Sequence, residues 1–153
     1  MDVKTAFLHG DMEEEIYIKQ PDGFLVEGKE DHVWRLRKSL YGLKQAPRQW
    51  YKKFGFVMCD QGYKKTTFDH CVFVKKISNN DFIILLLYVD DMLIVGKDTS
   101  MTNRLKKQLS ESFDMKDMGF AKQILGIRIM RDRQENKLWL SQKHYVKRVL
   151  QRF

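Results

Sequence analysis

The sequence predicts an α+β fold, an antiparallel sheet with helices on one face. Three observations predict it. Residues 82–96 place two apolar runs on either side of an acidic pair, the pattern of two strands buried around a tight turn. The stretches 50–58 and 105–113 carry apolar residues near helical spacing instead. The strand-like segments follow one another along the chain and the helical ones stand apart, which fits an antiparallel sheet with segregated helices.

Taken in order, the chain begins with an extended stretch from Asp2 that turns by Gly10. Ile16-Tyr17-Ile18 is a short strand closed by Gln20-Pro21-Asp22-Gly23. Val33 to Leu40 alternates apolar and basic residues with period two and stops at Tyr41-Gly42. Pro47 suits the first turn of a helix, and Trp50, Phe54, Val57 and Met58 carry that helix to about Gln61-Gly62. Cys71 to Lys76 is a strand, Ser78-Asn79-Asn80 a turn, and the hairpin of 82–96 follows with Asp90 and Asp91 at its tip. Asp98 or Thr99 suits the N-cap of a helix bearing Leu105, Leu109 and Phe113. Ile124 to Met130 and Lys137 to Leu140 predict a second hairpin across Gln134-Glu135-Asn136. Ser141 can cap a last helix with Tyr145, Val149 and Phe153.

A length of 153 residues corresponds to about one domain, enough to bury a core. The net charge of +8 is unevenly spread. Residues 11–31 hold eight acids and two bases, residues 34–56 seven bases and no acid, and residues 122–153 nine bases and two acids. Two basic blocks point to a polyanionic partner, since phosphate neutralisation with counterion release dominates nucleic-acid affinity. A membrane surface fits less well, because neither block is an amphipathic helix with Trp or Phe opposite Lys and Arg. The longest apolar run ends at Tyr88, far short of the ~20 residues that span a bilayer, and no signal peptide precedes it. Cys59 and Cys71 are too few and too far apart for a zinc knuckle and read as small buried or half-buried fillers in a reducing, intracellular compartment. His9, His32, His70 and His144 make no ligand pattern.

An unpaired buried carboxylate is costly unless it is paired or holds a metal. Hard cations such as Mg²⁺ are held by one or two carboxylates together with substrate phosphates at sites of phosphoryl transfer. Asp is also a common turn former, so Asp90-Asp91 alone leaves both readings open. The acidic run Asp11, Glu13, Glu14 and Glu15 reads as a solvated turn, because consecutive acids on a loop point in different directions.

Tyr88-Val89-Asp90-Asp91 inside an apolar hairpin resembles the Tyr-x-Asp-Asp signature of reverse transcriptases. Asp2 to Gly10, Tyr17 to Phe24 and Leu40 to Arg48 resemble the copia-type retrotransposon branch, and Leu125 to Ile129 with Leu140-Ser141-Gln142 continue the likeness. The resemblance implies a fragment of an RNA-directed DNA polymerase from a Pol polyprotein, adding deoxynucleotides to a primer 3′-hydroxyl on an RNA or DNA template. It implies a palm over 1–122 and, over 123–153, a primer-grip hairpin and the beginning of a thumb helix. By this likeness Asp2, Asp90 and Asp91 are the catalytic carboxylates that hold two Mg²⁺ ions, with Mn²⁺ as a substitute, and Val3 joins the metal set. Phe7 matches the aromatic gate against a 2′-hydroxyl. Tyr41, Gly42 and Tyr88 fall in the nucleotide pocket, with Tyr41 standing where the retroviral pattern has Gln. Lys44, Arg48, Arg128 and Trp139 fall along the primer–template.

The implied partners are primer–template, dNTPs and the remaining Pol parts (fingers, RNase H, integrase), in a cytoplasmic virus-like particle and away from membranes. In the family the fingers precede the first aspartate, so a first strand with only Met1 before Asp2 is expected to fray, its α-amino group is expected to compete with Mg²⁺ at Asp2, and the isolated chain is expected to extend primers poorly. The alternative expectation is a catalytically dead remnant that still binds nucleic acid.

Overall fold

The computed structural model describes residues 1–152; Phe153, expected on the last helix, lies outside the described residues. The two apolar runs pair along their whole length as β6 (Phe82–Tyr88) and β7 (Asp91–Gly96), from Ile83 opposite Gly96 to Tyr88 opposite Asp91. Around this hairpin a six-stranded antiparallel sheet forms in the order β4 (Lys64–Lys65), β5 (Val72–Lys76), β6, β7, β1 (Asp2–Val3), β8 (Met115–Lys116). Alternation along β6 buries Ile83, Leu85 and Leu87 and turns Phe82, Ile84, Leu86 and Tyr88 the other way. Helices α1 (Ala46–Asp60) and α2 (Thr99–Ser112) both cover the first of these faces, as the sequence predicts. Asp98 caps α2, its side chain accepting from Ser100 N at 2.7 Å.

The core is aromatic at its centre. Phe54 lies among Trp50, Phe73 and Phe113 with ring centroids 5.4, 5.5 and 5.7 Å away, within the range of favourable aromatic contact. Every buried hydrophobic residue among those described falls between Val3 and Phe113.

Elsewhere the elements are smaller. β2 (Tyr17–Lys19) pairs only with β3 (Val33–Arg35), and the buried Gln20 ties the intervening loop through Lys29 O (2.6 Å), His32 O (3.0 Å) and Val26 N (3.0 Å). β9 (Gln123–Ile124), β10 (Ile127–Asp132) and β11 (Lys137–Ser141) form a separate three-stranded sheet, followed by α3 (Lys143–Leu150). Among the described residues no helix is long and apolar enough to cross a membrane.

Cys59 and Cys71 are exposed rather than buried or half-buried, and four boundaries differ from expectation. The extended start is strand only at Asp2–Val3, because Thr5 takes a left-handed φ of 52° and turns the chain into a 3-10 segment at Ala6–His9. The period-two stretch 33–40 is paired only to Arg35, apart from one bridge between Lys38 and Asp11. The first arm of the last hairpin is split at Leu125-Gly126, both at positive φ (49° and 78°), which folds β9 back on β10. The last helix is capped one residue late, with Ser141 Oγ accepting from Lys143 N at 3.4 Å while Gln142 holds the N-cap position.

The 3-10 segment is locked to the chain before α1. Ser39, fully buried, donates its hydroxyl to Phe7 O, and its N–H donates to Gly10 O at 3.0 Å. A Cβ on Gly10 would stand 2.7 Å from Ser39 Oγ and 2.8 Å from Gln49 Cβ, closer than such atoms approach. Gly10→Ala is therefore expected to destabilise the chain by about 1–3 kcal/mol, read as a lower urea midpoint at unchanged slope.

Candidate active site

Asp2 lies opposite Asp91 in the β1–β7 pairing. The main-chain bonds fix which kind of pair this is. Met1 and Met92 exchange two bonds, Met1 N to Met92 O at 2.9 Å and Met92 N to Met1 O at 2.8 Å. Asp2 and Asp91, one step along, therefore form a non-hydrogen-bonded pair, the narrow kind with Cα atoms about 4.5 Å apart and side chains on one face. Val3 N donates to Asp90 O at 3.0 Å and completes the attachment. β1, short as it is, is thus paired on both edges, between β7 and β8.

The turn itself is Val89-Asp90. Val89 has a φ of 56°, a costly conformation for a β-branched residue. A positive φ at the first central residue alone is the mark of a type II′ hairpin turn, a place usually taken by glycine. The Trp50 indole N–H donates to Val89 O at 2.6 Å and holds this peptide from α1. Strain kept in place by such a partner is common at functional turns. Asp90 is exposed there; Asp2 and Asp91 are half-buried.

On the open face of the sheet the register builds a row across four strands: Tyr88, Asp91, Asp2 and Lys116. Behind it run two apolar rows, Val72–Leu86–Leu93 and Val74–Ile84–Val95. Sequence reasoning missed Lys116, since a two-residue charged strand has no periodicity to find. Val3, by contrast, is buried with its side chain in the core, so any share in cation binding falls to its main chain. Among the described residues Asp2, Asp90 and Asp91 make no ion pair. Among the same residues no three His, Cys, Asp or Glu side chains converge into a ready-made metal cage. The α-amino group of Met1 points to Met92 O rather than to Asp2, and burial holds its pKa below the ordinary value against the pull of Asp117, Asp91 and Asp2.

The other expected site residues fall into three groups. Phe7 and Tyr41 pack against each other, with centroids 4.7 Å apart and planes tilted by 44°, and Gly42 follows at φ 94°, a left-handed turn position that glycine fits. Lys44, in the turn before α1, and Arg48, in its first turn, are exposed and take part in no ion pair among the described residues. Arg128 and Trp139 lie on one face of the small sheet, opposite Ser141 and Met130 respectively, and so are diagonal neighbours.

A profile for reverse transcriptase (RNA-dependent DNA polymerase) matches residues 1–153, the whole chain. The chain belongs to the reverse transcriptase family. The reverse transcriptase domain is 65% identical, over all of its length, to 12% of the retrovirus-related Pol polyprotein of transposon TNT 1-94 from Nicotiana tabacum. It is 39% identical over 99% of its length to 10% of the Pol polyprotein of transposon RE2 from Arabidopsis thaliana. Against the Ty1-GR3 Gag-Pol polyprotein of Saccharomyces cerevisiae it is 34% identical over 76% of its length, or 6% of that protein. It is thus a reverse transcriptase domain of the kind found in copia-type Pol polyproteins, and it spans about a tenth of the relatives it matches. No solved structure matches it significantly.

Proposed function

We propose that this domain is the palm of an RNA-directed DNA polymerase, with 123–153 as its primer grip and the start of a thumb, and that Asp2, Asp90 and Asp91 hold the catalytic cations. The observation that carries this reading is the register of Asp2 against Asp91, which turns two unpaired carboxylates to one open face beside the Asp90 turn. The donor set suits the ion. Mg²⁺ is held by one or two carboxylates plus waters and substrate phosphates rather than by an all-protein cage, and Asp2 and Asp91 side by side on the open face, with Asp90 at the adjoining turn, are carboxylate donors of that kind. When bound, Mg²⁺, or Mn²⁺ in its place, lowers the pKa of an attacking hydroxyl and stabilises charge on the phosphate.

The chain's own residues supply the rest. Trp50 fixes the turn that presents Asp90. Lys116, beyond Asp2 in the same row, tempers the repulsion of the acid pair. Phe7, backed by Tyr41, forms an aromatic wall suited to meet a sugar ring and to refuse a 2′-hydroxyl by shape. Arg128 and Trp139 offer a cation and a stacking surface to a primer strand. The partners proposed on this basis are primer–template, dNTPs and the other parts of a Pol polyprotein.

Paramagnetic broadening tests the cation assignment. Sub-stoichiometric Mn²⁺ is expected to erase the amide signals of residues 2, 90 and 91 first, with a dNTP increasing the effect and Asp91→Asn removing it. Earliest loss at Asp11 to Glu15, the other acidic segment, would sink the assignment.

A further inference from the structure

The stretch 34–56 has seven bases and no acid, so its charge must be answered from elsewhere. The answer comes from the acidic run just ahead of it. Asp11 bridges two lysines, Oδ1 to Lys38 and Oδ2 to Lys53 at 3.0 Å. Glu13 holds Lys52 at 2.6 and 2.9 Å, Glu15 holds Arg35 at 2.7 Å, and Glu14 accepts from Gln45 Nε2 at 3.2 Å. What the sequence presents as a solvated acidic turn and a separate basic block is one contact surface.

We propose that segment 11–15 is a displaceable cover, its carboxylates standing where nucleic-acid phosphates bind on a latent cationic surface of Arg35, Lys38, Lys52 and Lys53. The geometry fits a stand-in: Asp11 takes two cations through separate oxygens, Glu13 puts both oxygens on one lysine and Glu15 takes one arginine, contacts of the kind a phosphate makes. The cover is also cheap to lift. The paired cationic side chains are 41–61% exposed and their acids 58–61%, so solvent and salt screen every contact. Residues 12–16 belong to no helix or strand, and main-chain bonds hold only their two ends, Met12 N to Arg37 O at 3.5 Å and Leu36 N to Ile16 O at 2.8 Å, with none to residues 13–15 among the described residues. The Lys38 and Lys53 contacts pull the Asp11 carboxyl below its ordinary pKa, and Lys52 does the same for Glu13, so the cover stays charged wherever nucleic acid binds. Lys44 and Arg48, uncovered beside it, give an incoming strand its first hold. A polynucleotide then gains from releasing its own counterions, a gain four tethered carboxylates do not offer. This proposal goes beyond the polymerase reading and does not depend on the cation site.

The experiment is a salt titration of single-stranded oligonucleotide binding to the full chain by fluorescence anisotropy. Asp11→Asn/Glu13→Gln/Glu15→Gln is compared with a variant of equal net charge, Asp22→Asn/Glu27→Gln/Asp31→Asn, whose acids make no ion pairs among the described residues. Each phosphate neutralised on a single strand contributes about 0.7 to the slope of log K against log salt. The first variant is expected to steepen that slope by about 2–3 and to bind about tenfold or more tightly at low salt, with the control close to the unmutated chain. Adding Lys52→Gln/Lys53→Gln to the first variant is expected to cancel about half of the steepening. Equal changes in the two charge-matched variants, or a gain untouched by the lysine changes, would overturn the proposal.

Discussion

Phe54→Ala is expected to destabilise the domain by about 3–5 kcal/mol, measured as the fall in unfolding free energy by urea or thermal denaturation. Phe54 is fully buried on α1 and touches aromatic rings from α1 itself, from β5 and from the end of α2. Removing its ring takes away transfer free energy and leaves a cavity among three large aromatic neighbours, which close-packed surroundings collapse into only partly. A domain of ordinary stability has about 5–15 kcal/mol in total, so the variant loses a large part of it. The consequence is sharper here because the buried core ends at Phe113 and the β9–β11 sheet with α3 adds no fully buried side chain among the described residues. Phe120→Ala is the comparison. That ring is 83% exposed, and its loss is expected to change stability by no more than about 0.5 kcal/mol. Similar losses in the two variants would show that the aromatic centre of α1 does not organise the fold.

The β6–β7 hairpin was legible because two apolar runs around a tight polar turn have one economical solution, and the spacing of Trp50, Phe54 and Met58 made α1 equally plain. The strands β4 and β8 were not, since Lys64–Lys65 and Met115–Lys116 are strands only through the partners they meet, not through any pattern of their own. The break at Leu125-Gly126 was hidden in the same way: a leucine with a φ of 49° contradicts local preference and is decided by the pairing of β9 with β10. Asp2 could be picked out by family likeness alone. Its position opposite Asp91 depends on bonds between residues 91 apart in the chain, beyond any local signal. The pairing of residues 11–15 with Arg35, Lys38, Lys52 and Lys53 shows the limit of charge patterning, because a run of like charges looks solvated until its partner block is folded against it.

Asp91→Asn is expected to change stability in opposite directions with and without Mg²⁺. Without the ion, Asp2 and Asp91 are like charges in a narrow cross-strand pair, an arrangement that costs about 0.2–1 kcal/mol. Lys116, on the far side of Asp2, offsets only part of that repulsion, because it makes no ion pair within reach of either acid among the described residues. Neutralising one member therefore raises the melting temperature of the ion-free variant by a few degrees at most. A ligand that binds only the folded state adds about 2.7 kcal/mol at a hundred times its dissociation constant, worth about 5–10 °C in a domain of this size. The unmutated chain is expected to gain this on addition of saturating Mg²⁺, and Asp91→Asn to gain little, so the order of the two melting temperatures reverses. Asp2→Asn should behave alike, since either acid completes the pair, whereas Asp11→Asn should leave the Mg²⁺ response intact. In primer extension by a polymerase that contains this domain, losing the cation's share of charge stabilisation, several kcal/mol, lowers the rate by about 10²- to 10⁴-fold. An acid pair that weakens the empty fold and is relieved by the reacting ion is the stability cost of a site organised for catalysis, and equal Mg²⁺ shifts in Asp91→Asn and the unmutated chain would refute that account.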